Sequence, residues 1–233
     1  MSTISTRLDE IRSRIAAAAR QAGREPESVG LVAVSKTHPA ESVREAFGAG
    51  QVVFGENRVQ ELLTKAPLLP GAVRWHLIGH LQKNKIRKVL PVVALIHGVD
   101  TVELAQEMDR IAAELGLFPR VLLEVNVSGE GTKFGFKPET LRAEMAGLLA
   151  LPRLQVEGLM TIAPYAEKAE SARPFFVKLR ELRDEISTQT ATPLPVLSMG
   201  MSGDFEVAIA EGSTLVRVGT AVFGERPKVQ ITD

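Results

Sequence analysis

The hydrophobic positions of this chain gather into eight short apolar runs separated by longer amphipathic stretches. The runs cover 31–35, 52–54, 74–78, 94–97, 121–127, 154–161, 196–198 and 215–218. Each has the length of a strand, is largely apolar, and is bounded by glycine, proline or polar residues; the first, 31–35, is apolar on both faces. That pattern predicts buried parallel strands. Between the runs the apolar residues recur at helical spacing. The most regular stretch is 101–115, where Val102, Ala105, Met108, Ile111, Ala112 and Leu115 share one stripe. Further helices are expected near 40–48, from 55–57 to just before Pro67, and over 83–90, 138–150, 168–188 and 203–210. Ahead of the first run, Ile4, Leu8, Ile11 and Ile15 predict one more amphipathic helix, closed by Gly23 and Pro26.

Strands that alternate with helices pair in parallel through helical crossovers. Eight such units fit a closed (β/α)8 TIM barrel with an extra N-terminal helix, within the α/β class. A doubly wound open sheet is the alternative. No linker or low-complexity stretch divides the chain, so one domain over 1–233 is expected.

Composition narrows the function more than the fold. Lysine plus arginine and aspartate plus glutamate both number 28, so no net field draws the chain to nucleic acid or to an anionic membrane. There is no cysteine, which excludes disulfides, thiolate metal sites and cysteine nucleophiles. No apolar run approaches the ~18 residues of a membrane span. The arginines, serines and threonines of 1–24 would suit a transit peptide, but Asp9 and Glu10 count against one. A structural helix is the preferred reading there. His38, His76, His80 and His97 show no ligand spacing, so no metal is expected. The basic run Lys83, Lys85, Arg87, Lys88 reads as a solvated helix face, or else as a contact patch for an anionic ligand or protein.

In a barrel of this kind, chemistry collects at the carboxyl ends of the strands. The first strand ends at Ser35-Lys36, followed by Thr37-His38-Pro39. A lysine desolvated there loses stabilisation of its charge, and the neutral amine forms a Schiff base with an aldehyde. The second strand leads into Gly55-Glu56-Asn57-Arg58. The fifth carries Glu124 and Asn126, and the sixth ends near Met160. The seventh runs into Ser198-Met199-Gly200-Met201-Ser202-Gly203-Asp204, and the eighth contains Arg217 before Gly219-Thr220. Loops after strands seven and eight form the usual phosphate site of such barrels, through helix-start N–H groups and hydroxyls. Ser202 as a plain N-cap is the alternative, and Asp204 opposes an anion unless its side chain turns away. A buried Arg217 needs a partner, either Glu124 or a ligand ring. Lysine, phosphate cradle and arginine together suggest pyridoxal 5′-phosphate.

With these residues assembled, the chain resembles the pyridoxal phosphate homeostasis protein family, relatives of the N-terminal barrel of alanine racemase. The resemblance covers about 5–226. It rests on Val32-Ala33-Val34-Ser35-Lys36, Phe54-Gly55-Glu56-Asn57-Arg58-Val59-Gln60-Glu61, Trp75 through Lys85, Glu124-Val125-Asn126, Gly158-Leu159-Met160, Leu197 through Asp204, and Arg217-Val218-Gly219-Thr220. It implies that Lys36 holds pyridoxal 5′-phosphate covalently as an aldimine, and that Ser202, Gly219 and Thr220 bind its phosphate. Arg217 would face the ring nitrogen and Asn57 would line the cofactor, with Met160 and Ser198 nearby. Lys133 matches the family more loosely and receives no role. The resemblance further implies a cytoplasmic monomer that takes part in vitamin B6 homeostasis, with apo-enzymes as possible recipients and no established turnover. A pyridoxal-phosphate-dependent amino-acid racemase is the alternative. It lacks an evident second base, since the one tyrosine, Tyr165, is expected on a loop.

Overall fold

The structure, a computed structural model, describes residues 2–131 and 134–225. Eight parallel strands close on themselves in sequence order: β1 (Gly30–Val34), β2 (Val53–Glu56), β3 (Arg74–Leu77), β4 (Val93–Val99), β5 (Arg120–Glu124), β6 (Gln155–Met160), β7 (Val196–Ser198) and β8 (Leu215–Val218). The closing pair sets Val32 beside Arg217 and Ala33 beside Val218. The expected barrel is therefore the observed one, and the open sheet is not.

Helices α1 (Ile4–Gln21), α2 (Ala40–Gly48), α3 (Val59–Lys65), α4 (Ile86–Val89), α5 (Val102–Leu115), α6 (Pro138–Leu149), α7 (Arg173–Thr190), α8 (Phe205–Ala210) and α9 (Thr220–Phe223) surround the strands. The helix predicted ahead of the first strand is α1. Thr3 caps it, accepting from the Thr6 N–H, and Ile4, Leu8, Ile11 and Ile15 are buried. It packs against α2, α8 and α9, in the place a helix following β8 would take. Arg24 ties it there by donating to the carbonyls of Ile209 and Ser213 at 3.0 and 2.8 Å.

Several boundaries differ from expectation for identifiable reasons. β2 runs on to Glu56, and α3 begins only at Val59. Glu56 reads as the polar start of a helix, but Lys65 neutralises it inside the barrel wall. β5 stops at Glu124, because the next residues leave the strand and Asn126 N–H bonds the Phe136 carbonyl at 2.9 Å. The basic stretch 83–90 splits into a 3-10 turn over Lys83–Lys85 and the short α4. Lys83, Arg87 and Lys88 are exposed there, and Arg87 pairs with Glu114. The sequence pattern gave no sign of α9.

Alternation along the strands sends one set of residues outward to the helices and the other into the lumen. Outward residues such as Ala33, Phe54, Trp75, Leu77 and Ile96 join the main core. The lumen holds two small apolar groups, one of Val32, Val34 and Ile78 and the other of Leu95, Leu122 and Met160. Between them it is polar. His76, His97, Ser198 and Arg217 are buried there and joined in a chain of hydrogen bonds.

Candidate functional site

Lys36 leaves β1 in a tight turn. His38 N–H bonds the Ser35 carbonyl at 3.1 Å, and Thr37 between them has φ +69°. A β-branched residue in the left-handed region costs on the order of 1–3 kcal/mol, so something must hold it. The Thr37 N–H donates to Glu61 Oε1 at 2.6 Å. Glu61 in turn belongs to a buried ion cluster beneath the turn. Lys65 Nζ donates to Glu61 Oε1, Glu56 Oε1 and the Ser35 carbonyl at 2.7, 2.7 and 2.8 Å. Ser35 Oγ donates to Glu56 Oε1 at 2.7 Å. Burial pushes the Glu56 carboxyl up, and the bonds from Lys65 and Ser35 pull it back. The turn that aims Lys36 thus rests on three charges from β2 and α3. Sequence reasoning missed Lys65. Its signal was a lysine on the stripe Val59, Leu62, Lys65, all buried.

The loops after β7 and β8 face that turn. A Cβ at Gly219 would meet the Val34 carbonyl at 3.2 Å, so the loop lies hard against the strand that delivers Lys36. After β7 the chain turns through Met201-Ser202-Gly203-Asp204. Asp204 Oδ1 accepts from the Met201 N–H at 2.6 Å, so its carboxylate is folded back onto its own loop. The backbone N–H groups of Ser202 and Gly203 make no hydrogen bond among the described residues. A Cβ on Gly203 would meet nothing within 4 Å. Two free N–H groups beside the Ser202 and Thr220 hydroxyls suit an anion.

Arg217 crosses the lumen floor. Its guanidinium donates to Ser198 Oγ at 2.6 Å and to the Thr161 carbonyl at 2.9 Å. An arginine can only donate, so the Ser198 hydroxyl turns its own proton to His97 Nδ1, 2.9 Å away. His97 then carries its proton on Nε2 and gives it to His76 Nδ1 at 3.0 Å. Both imidazoles are neutral. Burial lowers His76 to about 4 and holds His97 well below the ordinary value. Burial also lowers Arg217, to about 10, against the opposing charges of Glu124 and Asp204. The guanidinium remains charged at neutral pH. Glu124 acts on it only through its field, so the simple ion pair anticipated between them is not the arrangement.

Lys36, Asn57, Ser202, Arg217, Gly219 and Thr220 line one cavity of about 680 Å³ at the carboxyl end of the barrel. Glu124, His80 and His38 share it. Of the residues expected in the site, Met160 and Ser198 do not reach the cavity. Met160 packs in the lumen against Leu95 and Leu122, and Ser198 supports Arg217 from below. Lys133 lies outside the described residues. On the wall formed by the ends of β3 to β5, His80 Nδ1 bonds Asp100 Oδ2 at 2.8 Å, and the His80 ring stacks on Phe134 at 4.2 Å. Beside them Glu124 makes no hydrogen bond among the described residues, though it is only 8% exposed.

The donor set fits pyridoxal 5′-phosphate: an amine for an aldehyde, free N–H groups and hydroxyls for a phosphate, and a charged donor for a ring nitrogen. Comparison with known proteins agrees. The family model of the alanine racemase N-terminal domain matches residues 6–227. A pyridoxal phosphate homeostasis protein of Aquifex aeolicus (strain VF5) is 49% identical over 221 residues, which are 94% of this chain and 97% of that one. PipY of Synechococcus elongatus PCC7942, solved with PLP bound, is 43% identical, superposes with a TM-score of 0.85, and covers 95% of this chain and 100% of its own. Alanine racemase of Clostridium difficile 630 shares the fold at a TM-score of 0.75 and 17% identity. The match takes in 97% of this chain and 58% of that one.

Proposed function

The chain belongs to the alanine racemase N-terminal domain family, alongside the pyridoxal phosphate homeostasis proteins, and on that premise we propose that it binds pyridoxal 5′-phosphate covalently through Lys36 and takes part in cellular homeostasis of the cofactor. The observation that carries this is the shared cavity: the β1 lysine, the loops after β7 and β8, and Arg217 of β8 open onto one space. Bound, the cofactor supplies an aldehyde that condenses with amines and a ring that withdraws electrons.

The chain's own residues define what is done with it. Ser202, with its free N–H, and Gly219 and Thr220 hold the phosphate. Asn57 closes the side next to Lys36. Arg217 presents a charged donor to the ring nitrogen and disfavours its protonation, which weakens the ring as an electron sink and favours carriage over carbanion chemistry. Met160 and Ser198 serve indirectly, by packing and by fixing Arg217. The mouth is rimmed by the exposed side chains of Phe134, Ile162, Tyr165 and Met201. Tyr165 is 95% exposed, a poor setting for a racemase base, which needs a dry and fixed position. The proposal includes a monomer in the cytoplasm that releases cofactor to apo-enzymes.

The test is the absorption spectrum of the purified protein with added pyridoxal phosphate, beside Lys36→Ala. A visible band that requires Lys36 is expected. A band unchanged in the variant, or none in the wild type, overturns the assignment.

A further inference from the structure

We propose that Glu124 is the acid–base residue that moves cofactor off Lys36 onto an incoming primary amine, with Asp100 and His80 setting its environment. This rests on the cofactor reading above and supplies the release step that carriage requires.

Three observations support it. Glu124 ends β5, and in an eight-stranded barrel closed in sequence order β5 stands opposite β1, which delivers Lys36. Both side chains line the same cavity. A carboxylate and an amine therefore face the space between them from opposite walls. Second, Glu124 is more than nine-tenths buried and has no hydrogen-bond partner among the described residues. Its oxygens open onto the cavity rather than being sealed in protein, and a poorly solvated carboxylate with no protein partner on a cavity wall is placed for a ligand or a proton. Gly98 of β4 lies beside it: a Cβ there would meet the Gly79 carbonyl at 2.8 Å and Glu124 Oε2 at 3.3 Å, so a larger residue would clash with the β3 loop and crowd the carboxylate. Third, the setting of the carboxyl brings its titration close to neutral pH. Burial pushes the Glu124 carboxyl up to about 7, and the Asp100 charge adds to this, against Arg217 and His80. Asp100 is itself buried and held by His80, with Oδ1 unpartnered. The titratable and charged groups facing Glu124 are thus Asp100 after β4, His80 after β3, Arg217 on β8, and Lys36 across the cavity.

The chemistry balances without an oxidant or reductant. An incoming amine arrives as an ammonium and must lose one proton to attack. The ionised Glu124 takes that proton. A bond forms between the amine nitrogen and the aldehyde-derived carbon of the cofactor, and the bond from that carbon to Lys36 Nζ breaks. Protonated Glu124 then returns the proton to Nζ, through a water in the cavity between the two walls, as Nζ leaves. The substrate class is any primary amine that fits the mouth, from an amino acid to the lysine of an acceptor protein.

The experiment pairs wild type with Glu124→Gln and Asp100→Asn, using glycine as the amine. Stopped-flow absorbance follows loss of the Lys36-linked chromophore after protein loaded with pyridoxal phosphate meets glycine, between pH 5.5 and 9. Equilibrium uptake of the cofactor is measured alongside. Carboxyl-carbon NMR of the cofactor-free protein locates the Glu124 titration directly. Wild-type exchange is expected to rise through a step near pH 7, at the midpoint seen by NMR. Glu124→Gln slows exchange about 10²-fold at pH 8 and removes that step, with uptake nearly unchanged. Asp100→Asn moves both midpoints lower together. It also carries the test if Glu124→Gln does not fold. Uptake by wild type with the same exchange rate and profile in Glu124→Gln overturns this inference alone. So does a loss of exchange matched by an equal loss of uptake, or an Asp100→Asn midpoint that stays put. No uptake by wild type overturns the cofactor reading as well.

Discussion

Two buried polar clusters sit on either side of the barrel, and they are built on opposite principles. Beneath the Lys36 turn, Lys65 meets Glu56 and Glu61, two carboxylates gathered around one ammonium. Across the lumen, His76, His97 and Ser198 form a neutral chain with a single charge, Arg217, at its end. The ionic cluster anchors a backbone, holding a strained turn against the relaxation its φ invites. The neutral chain orients a side chain, since each hydrogen bond in it fixes the direction of the next. A turn needs strong bonds to several acceptors. A guanidinium aimed at a ligand needs neighbours that accept without cancelling its charge.

That contrast orders the expected effects of breaking each cluster. The largest falls on the ionic one. Lys65→Met leaves Glu56 buried without compensation and should cost about 3–5 kcal/mol in denaturant unfolding. Adding Glu56→Gln should recover much of this. If the single variant costs less than about 1 kcal/mol, the cluster is not what holds the turn. Next comes the acid behaviour of the histidine chain. In the unfolded chain His76 and His97 bind protons below about 6.5, whereas folded His76 does so only near 4. The unfolded state therefore binds more protons between those limits, and stability must fall as pH drops from about 6.5 to 4. His76 alone contributes on the order of 3 kcal/mol to that fall. His76→Gln should flatten the slope, as read from unfolding curves at successive pH values. The smallest effect is Ser198→Ala. It removes the joint between Arg217 and His97 while creating no unpaired charge, and should cost about 1–3 kcal/mol. A cost above that of Lys65→Met would reverse the ranking.

The strands, their order and the residues opening onto the cavity were legible because each rests on a local pattern. Lys36 ends an apolar run, Ser202 sits among glycines before a helix, and Arg217 interrupts a strand. What escaped depends on which way side chains point across several elements. Glu56 looks like a helix start until Lys65, nine residues on, is known to reach it. His97 looks like one more residue of β4, and only closure of the barrel brings it between His76 and Ser198. Met160 is placed near the cofactor only by the family resemblance; the alternation of β6 turns its side chain into the lumen, against Leu95 and Leu122. Glu124 was visible as a candidate partner for Arg217. That it makes no hydrogen bond among the described residues could be seen only in three dimensions.

The seat of α1 beside α8 and α9 bears on how the molecule comes to be made. The helix ring and the β1–β8 seam both close between segments translated first and segments translated near the end. At synthesis rates of about 5–20 residues per second, the apolar stripe of Ile4, Leu8, Ile11 and Ile15 waits roughly 10–40 s for its partners. During that interval the nascent chain carries an unclosed strand edge and an uncovered greasy helix, the two features that recruit chaperones or promote misassembly. Maturation of this barrel is thereby tied to completion of its last strand, and a ribosome stalled before β8 would hold a chain unable to finish folding.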